Sequence, residues 1–312
     1  MSDSKILAVM GATGAQGGGL VRAILEDPKG GFRARAIARN PGTNKAKQLG
    51  VEVVAADLDN EASLDRALDG AYGAYFVTFY WAHFSPEKEK AHAAAMARAA
   101  KRAGLKHVIW STLEDTRRWV PLDDPRMPTL MEHYKVPHFD AKGESDRYFA
   151  DQGVPTTFLL TSFYWDNFIH FGMGPKAGAD GNLAITLPMA DRKLPGIAAE
   201  VIGRCAYGIF KNKDIYLGRT VGIAGEHLTG GEMASSFSRA LGREVAYNAV
   251  DPEVYRGFGF PGADDLGNMF QFKRDFNEVF CGARGVEISR ALNPRLQNFD
   301  QWLAANRLRI PL

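Results

Sequence analysis

The stretch ILAVMGATGAQG, residues 6–17, joins an apolar run to a glycine-rich turn that opens a helix. In Gly11-Ala12-Thr13-Gly14-Ala15-Gln16-Gly17, the three glycines permit a tight turn, close approach of a pyrophosphate to the backbone, and close packing of the helix on the strand. The free amides at the start of such a helix also attract phosphates. We therefore predict a dinucleotide site at this turn, although a purely structural glycine turn has the same spacing.

Short apolar runs alternate with longer amphipathic segments over the first 160 residues. This alternation predicts parallel strands connected by helices, and hence a Rossmann-type doubly wound α/β fold with ligands at the carboxyl ends of the strands. The predicted strands are Ile6–Met10, Arg33–Ala38, Val51–Ala55, Ala74–Val77, His107–Ser111 and Thr156–Leu160. The predicted helices are Ala15–Leu25, Thr43–Leu49, Glu61–Leu68, Pro86–Ala103 and Asp140–Asp151.

The residues at the end of the second strand indicate which dinucleotide is bound. An NAD site places a carboxylate there for the ribose hydroxyls, whereas this chain has Arg39 followed by Asn40. A guanidinium can form two parallel charge-assisted hydrogen bonds with a 2′-phosphate, so we predict NADP(H) as the cofactor. The alternative is a solvent-exposed arginine at a strand end. Asp57 and Leu58, past the third strand, are placed to flank the adenine, or Asp57 caps the next turn.

The catalytic pair of a classical short-chain dehydrogenase, a tyrosine four residues before a lysine, is incomplete in this chain. Lys142 stands where that lysine belongs, but His138 stands in place of the tyrosine. Lys142 is predicted to hold the cofactor ribose. The alternative is that it is merely an exposed lysine on a helix. His138 is a candidate proton donor, or simply a histidine at a helix entry. Ser111 ends the fifth strand, where such enzymes keep a serine.

Beyond Ser162 the regular alternation ends. We expect an NADP-binding domain over residues 1–161, with contributions from later segments, and a smaller α+β domain over residues 162–312 on the substrate or partner side. The helices predicted there are Ala198–Phe210, Gly231–Leu241 and Phe299–Asn306. The strands predicted there are Leu183–Leu187, Thr220–Ala224 and Glu244–Asn248.

Two further features fall at the expected ligand side of the sheet. The segment Leu113–Pro137 contains four prolines and no clear period, so it is either a lid over the site or a surface excursion. Eight aromatic residues near the strand ends either line a ligand site or pack between the domains. These are Phe79, Tyr80, Trp81, Phe84, Trp119, Phe163, Tyr164 and Trp165.

Composition excludes several classes of function. A net charge of +2 from 38 basic and 36 acidic residues gives no general attraction for nucleic acids, and no helix-turn-helix pattern is evident. We expect no membrane span and no signal peptide, since the first residues run straight into a strand. Cys205 and Cys281 lack metal or disulfide spacing, so a reduced, cytoplasmic setting without a metal site is expected.

Several motifs together resemble one family. GATGAQGGG (11–19), RAIARN (35–40), VTFYW (77–81), VPHFDAKGE (136–144), SFYWDN (162–167) and GFPGADDLGNMF (259–270) are similar to motifs of the NmrA-like atypical short-chain dehydrogenases, and within them of the HSCARG-type NADP(H)-binding proteins. The resemblance spans nearly the whole chain. It implies a dehydrogenase fold that mostly lacks the catalytic tyrosine, in proteins several of which are regarded as NADP(H)-responsive regulators.

The resemblance also implies a set of cofactor contacts. Gly11, Thr13, Gly14, Gln16 and Gly17 would hold the pyrophosphate, and Arg39 the 2′-phosphate. Asp57 and Leu58 would touch the adenine, and Thr78 and Phe79 the central part of the cofactor. Lys142 would contact the nicotinamide ribose, with Tyr164 and Asn167 at the nicotinamide end.

These observations leave two hypotheses about function, and they do not decide whether the chain is an enzyme. The favoured one is a sensor of the NADPH/NADP+ ratio whose loops, such as Leu113–Pro137, change self-association or partner binding. The alternative is an NADPH-dependent reductase of a small carbonyl, enone, quinone or aromatic substrate. A homodimer is compatible with either, and direct binding of nucleic acid fits the composition least.

Overall fold

The main sheet of the protein has seven parallel strands. The computed structural model describes residues 4–178 and 181–312, so the first three residues of the expected NADP-binding domain lie outside it. The strands, numbered in chain order, are β1 (Lys5–Met10), β2 (Phe32–Ala38), β3 (Glu52–Ala55), β4 (Gly73–Phe76), β5 (His107–Thr112), β6 (Thr156–Leu160) and β11 (Thr220–Gly222). Their spatial order is β3-β2-β1-β4-β5-β6-β11. From β1, the next strands along the chain are added on one side up to β3, and from β4 onward on the other side. The predicted Rossmann-type doubly wound fold is confirmed.

Helices cover both faces of this sheet. They are α1 (Ala15–Leu25), α2 (Asn44–Lys47), α3 (Glu61–Leu68), α4 (Pro86–Arg102), α5 (Pro137–Asp151) and α7 (Ala199–Lys211). Alternate residues of a strand point to opposite faces, so Leu7 and Val9 pack in one core with α1 and α7. Ala8 and Met10 pack in a second core with α3, α4 and α5.

Helix α7 and strand β11 come from the chain beyond residue 162, yet they complete the first domain. Two glycines let α7 lie directly on α1. A Cβ at Gly203 would come within 2.2 Å of the carbonyl oxygen of Gln16, and a Cβ at Gly19 within 2.1 Å of that of Glu200. Close helix packing thus ties the cofactor-side helix to a late segment of the chain.

The remaining residues form a smaller α+β region beside the carboxyl ends of the main strands. Its strands are β7 (Phe163–Tyr164), β8 (Lys176–Ala177), β9 (Leu183–Thr186), β10 (Leu194–Ile197), β12 (Glu226–Leu228) and β13 (Val245–Asn248). They form two three-stranded sheets, β12-β10-β7 and β13-β9-β8. Its helices are α6 (Asn167–His170), α9 (Gly230–Leu241), α10 (Pro252–Arg256), α11 (Ala263–Asp275), α12 (Asn277–Gly282) and α14 (Phe299–Asn306). Two other late helices, α8 (Lys213–Tyr216) and α13 (Val286–Leu292), pack on the first domain: the Tyr216 carbonyl oxygen accepts from Thr157 of β6, and the Ser289 carbonyl oxygen lies 3.8 Å from the Cys205 sulfur of α7.

The proline-rich segment Leu113–Pro137 is anchored by buried hydrogen bonds. The Asp140 carboxylate accepts from the backbone amides of Thr116, Lys135 and Val136 at 2.8–3.0 Å. The amide of Asn268 donates to the carbonyl oxygen of Lys135 at 2.6 Å. Such satisfied buried contacts hold the segment against α5 and α11.

Within the described ranges, no helix has the length and apolar character needed to cross a bilayer. Over the same ranges, no group of histidine, cysteine, aspartate and glutamate side chains is arranged to hold a metal ion.

Candidate functional site

A cavity of about 880 Å³ lies between the carboxyl ends of β4 to β6 and the smaller region. On the sheet side it is lined by Thr78, Ser111, Lys142 and Tyr164, among others. On the other side it is lined by β9 and by residues of α10, α11 and the turn between them. Ligand sites of α/β folds lie at this edge of the sheet.

The glycine turn has the geometry of a phosphate cradle. Gly11 has a φ of 65°, a left-handed conformation that favours glycine. The N-cap of α1 is Gly14, which has no side chain to bond the first helix amides. Thr13, Gly14 and Ala15 are exposed. A Cβ at Gly17 would lie 2.5 Å from the Gly11 carbonyl oxygen, so this turn conformation requires a glycine at position 17. The residues present therefore fit a dinucleotide pyrophosphate.

The side chain of Gln16 belongs to an internal network rather than to the exposed face of this turn. Its amide donates to the hydroxyl of Tyr164 at 2.6 Å, and its carbonyl oxygen accepts from Ser111 at 3.1 Å and from Tyr75. Burial raises the pKa of the Tyr164 phenol, so that group stays protonated. The network links the glycine turn to the cavity. Because it uses only the side chain of Gln16, the backbone amide of this residue is available to bind a phosphate.

Arg39 and Asn40 follow β2 at the exposed edge next to the glycine turn. Among the described residues, no carboxylate forms an ion pair with Arg39, so its guanidinium is available to a ligand. The Asn40 side chain accepts from the backbone amide of Gly42 at 2.9 Å and shapes this corner.

The residues predicted to flank the adenine follow β3. One Asp57 carboxylate oxygen accepts from the backbone amide of Asp59 at 3.0 Å, while Asn60, and not Asp57, caps α3. Leu58 packs against the second core and is half-buried. Asp57 therefore shapes a turn next to the exposed corner formed by Arg39.

Lys142 meets a buried carboxylate that was not anticipated. Its Nζ lies 2.8 Å from Oε1 of Glu89, which is 0 % exposed, and it also donates to the Thr78 hydroxyl. Burial alone would raise the pKa of Glu89, but Lys142, His83 and Thr78 outweigh it and hold that pKa at about 2. The lysine predicted to face the ribose thus lines the cavity and is paired with a carboxylate buried behind it.

The aromatic residues near the strand ends divide into two groups. Six of them line the cavity: Phe79, Tyr80, Trp81, Phe84, Phe163 and Tyr164. Trp165 is buried in the core of the smaller region, with its ring 5.3 Å from that of Phe299. Trp119 packs 5.6 Å from Phe272. These two tryptophans contribute to apolar packing, which was the alternative to a ligand surface. Asn167, at the start of α6, also lines the cavity.

His138 also lines the cavity, and it has an acidic partner that the local sequence did not reveal. Its Nδ1 donates to one carboxylate oxygen of Asp265 at 2.6 Å, and its backbone amide donates to the other at 3.2 Å. Asp265 lies 127 residues further along the chain, in α11. A carboxylate in this position orients an imidazole and fixes which ring nitrogen faces the cavity.

A glycine- and phenylalanine-rich segment, Gly257–Phe272, covers the cavity instead of the proline-rich one. Tyr255, Phe258, Phe260 and Leu266 line it, whereas Leu113 is the one residue of the segment Leu113–Pro137 found among the described lining residues. Of the two alternatives for that segment, the lid does not hold, because the polar groups of the segment are bound to α5 and α11. The exposed rings of Phe258 and Phe260, in a run interrupted by glycines, were the signal for the covering segment.

The chain is similar to known proteins along most of its length. The model of the NmrA-like family matches residues 3–303. An NmrA-like family domain-containing oxidoreductase, FrzB of Cladobotryum sp., is 28% identical over 296 residues, covering 86% of this chain and 83% of the relative. An NmrA-like family domain-containing protein of Dictyostelium discoideum is 27% identical over 263 residues, covering 81% and 82%.

Solved structures have the same fold. NmrA, a negative transcriptional regulator solved in complex with NADP, is 25% identical with a TM-score of 0.78, covering 97% of this chain and 95% of the other. The triphenylmethane reductase of Citrobacter sp. has a TM-score of 0.76 at 19% identity, covering 97% and 99%.

Proposed function

The chain belongs to the NmrA-like family, and from its cavity we propose that it is an NADP(H)-dependent reductase of a hydrophobic, ring-containing small molecule. One observation carries this proposal. The cofactor-side residues Thr78 and Lys142 line the same cavity as Tyr255 and Met269 of the smaller region. Ligand sites typically enclose about 300–1,000 Å³, and this one, at about 880 Å³, extends well beyond the residues proposed to meet the nicotinamide.

NADP(H) is held along the edge of the sheet. The exposed backbone of the glycine turn holds the pyrophosphate, with the side chains of Thr13 and Ala15 beside it. Arg39 and Asn40 hold the 2′-phosphate, and Asp57 and Leu58 lie beside the adenine. Thr78 and Phe79 contact the central part, Lys142 the ribose, and Tyr164 and Asn167 the nicotinamide. The complex of NmrA with NADP supports NADP(H) as the cofactor.

NADPH supplies a hydride when it is bound. The protein's own residues position the reactants and handle the proton that most acceptors also require. Lys142 Nζ, which the Glu89 carboxylate positions, donates to ligand hydroxyls, and Asp265 orients the His138 ring toward the cavity for proton transfer. The aromatic lining excludes water and binds a ring by its faces.

The test is the single-turnover decay of protein-bound NADPH absorbance with quinones, enones and aldehydes. The proposal predicts acceptor-dependent decay that slows about ten-fold or more in Lys142→Met. Lys88→Met serves as the control, because Lys88 pairs with Asp59 at the surface. No acceptor-dependent decay with any acceptor class would refute the reductase.

A regulatory function is the second candidate, since NmrA, which is similar over 97% of this chain, is described as a negative transcriptional regulator. In that case NADPH and NADP+ would change the binding of a protein partner or the assembly of a homodimer. A ligand can shift such an equilibrium only through different affinities for the two states. Light scattering of the isolated protein with each cofactor form tests the assembly: different masses support a sensor that acts through homodimer formation, and equal masses refute that form of sensor.

A further inference from the structure

Lys273 is a buried cation that the proposed chemistry does not use. It lies in α11, is 3% exposed and lines the cavity. The one polar contact of its Nζ among the described residues is the thioether sulfur of Met269, at 3.2 Å. Sulfur of this kind is a weak acceptor, so the ammonium lacks a strong partner.

Phenylalanine rings surround this ammonium. The distances from Nζ to the ring centroids are 5.3 Å for Phe139, 6.0 Å for Phe163, 5.4 Å for Phe270 and 5.2 Å for Phe280. Cation–π attraction offsets part of the lost hydration. Rings cannot replace the hydrogen bonds that water would make with three N–H groups.

The carboxylate that acts on Lys273 through its charge, Glu114, is already paired with Arg284. Glu114 accepts from the buried guanidinium of Arg284 at 2.9 Å, and over the described ranges no carboxylate lies within ion-pair distance of Lys273. Burial and the Arg284 charge therefore lower the pKa of Lys273 to about 7, despite the opposing effect of Glu114. A buried cation without a partner is costly to the fold, unless a ligand supplies the missing charge.

We propose that Lys273 recognises an anionic oxygen of the ligand, so that the cavity selects hydrophobic, ring-containing molecules that carry a carboxylate or a similar acidic oxygen. In surroundings of low dielectric constant, an ion pair formed with Lys273 is stronger than one in water. The phenylalanine rings around Nζ then pack against the ligand's rings. As the definition of a substrate class, this inference rests on the proposed reductase, but the binding itself needs no turnover.

The experiment is calorimetric titration of the NADP+-bound protein at pH 6.5 with 2-naphthoate and, separately, with the neutral 2-naphthamide. The oxidised cofactor prevents hydride transfer. We expect naphthoate to bind at least ten-fold more tightly than naphthamide, as for a hydrogen bond to a charged group. In Lys273→Met this preference disappears while naphthamide binding is retained. Lys176→Met, which removes an exposed lysine of the same cavity, keeps the preference.

Several outcomes would overturn the inference: equal affinities in the wild type, a preference that survives in Lys273→Met, or equal weakening of both probes in that variant, which would indicate a structural lysine only. The wild-type comparison stands by itself if the variant does not fold. A protein that oxidises NADPH with quinones but shows no preference for naphthoate would refute this inference and leave the reductase intact.

Discussion

Nζ of Lys142 lies 2.8 Å from Oε1 of Glu89, and the two residues come from neighbouring helices, α5 and α4. The carboxylate is fully buried, and Thr78 at the end of β4 bonds to both partners. The lysine proposed to meet the cofactor is therefore positioned by a charge inside the protein.

Replacing Glu89 with glutamine should destabilise the protein, because the Lys142 ammonium then loses its buried partner. Breaking a buried pair from one side costs about 3–5 kcal/mol. We expect urea denaturation of Glu89→Gln to give a loss of this size, and Glu89→Gln/Lys142→Met to recover part of it. Glu87→Gln, at an exposed position of the same helix, should cost less than about 1 kcal/mol. Equal stability of Glu89→Gln and the wild type would contradict the buried pair.

A methyl group at Gly17 should abolish cofactor binding. Its Cβ would lie 2.5 Å from the Gly11 carbonyl oxygen, so the turn must open and its amides must shift. Fluorescence titration with NADPH should show no saturable binding by Gly17→Ala. Gly231→Ala is the matched control, since its Cβ would meet only a threonine oxygen at 4.0 Å. Retained tight binding in Gly17→Ala would refute the cradle.

Arg39 should set the preference for NADPH over NADH. Arg39→Ala removes the charge-assisted hydrogen bonds to the 2′-phosphate, so the Kd for NADPH should rise about 10-fold or more while that for NADH changes little. Arg33→Ala, on the same strand and exposed, should leave both values unchanged. If the affinities for NADPH and NADH fell equally in Arg39→Ala, the arginine would not recognise the 2′-phosphate.

Stability should depend on pH through Lys273. Its pKa falls from the ordinary 10.5 to about 7 in the folded protein, so between these values the unfolded chain binds more protons at this site. The free energy of unfolding therefore rises with pH in this range, by at most about 1.4 kcal/mol per pH unit. Below pH 7 the lysine is charged in both the folded and the unfolded state, so the free energy of unfolding is lowered by the full cost of burying its charge.

The measurement is urea denaturation of the wild type and Lys273→Met at pH 7 and pH 9. The stability of the wild type relative to the variant should increase at the higher pH. Arg284 and Glu114, the charged groups facing this site, are present in both proteins. A difference that stays constant between the two pH values would show that Lys273 titrates normally.

The sequence predicted the alternating part of the fold well because each element has its own local signal. Helix Glu61–Leu68 and strand Thr156–Leu160 have the predicted bounds. Strand β11, expected over Thr220–Ala224 within the smaller domain, pairs with β6, since a short strand carries no information about its neighbour. The packing of α7 on α1 depends on Gly19 and Gly203 meeting across 184 positions, which no local pattern reveals.

The candidate site was predictable only in part. The glycine turn, Arg39 and Lys142 have motifs of fixed spacing. Glu89 stands in the charged stretch PEKEKAH, where it looks like any exposed helix residue, and only the tertiary contact with Lys142 buries it. Lys273 likewise follows an ordinary helical pattern, and its phenylalanine neighbours come from four separate elements.

The central claim is that cofactor and acceptor meet in one cavity, and isotope transfer from NADPH deuterated at C4 of the nicotinamide tests it most directly. Mass spectrometry of the reduced acceptor should detect deuterium with the wild type. Ala184→Trp, which fills the cavity from β9, should bind NADPH normally and transfer no deuterium. Undiminished transfer in Ala184→Trp, or none in the wild type with any acceptor class, would contradict the account.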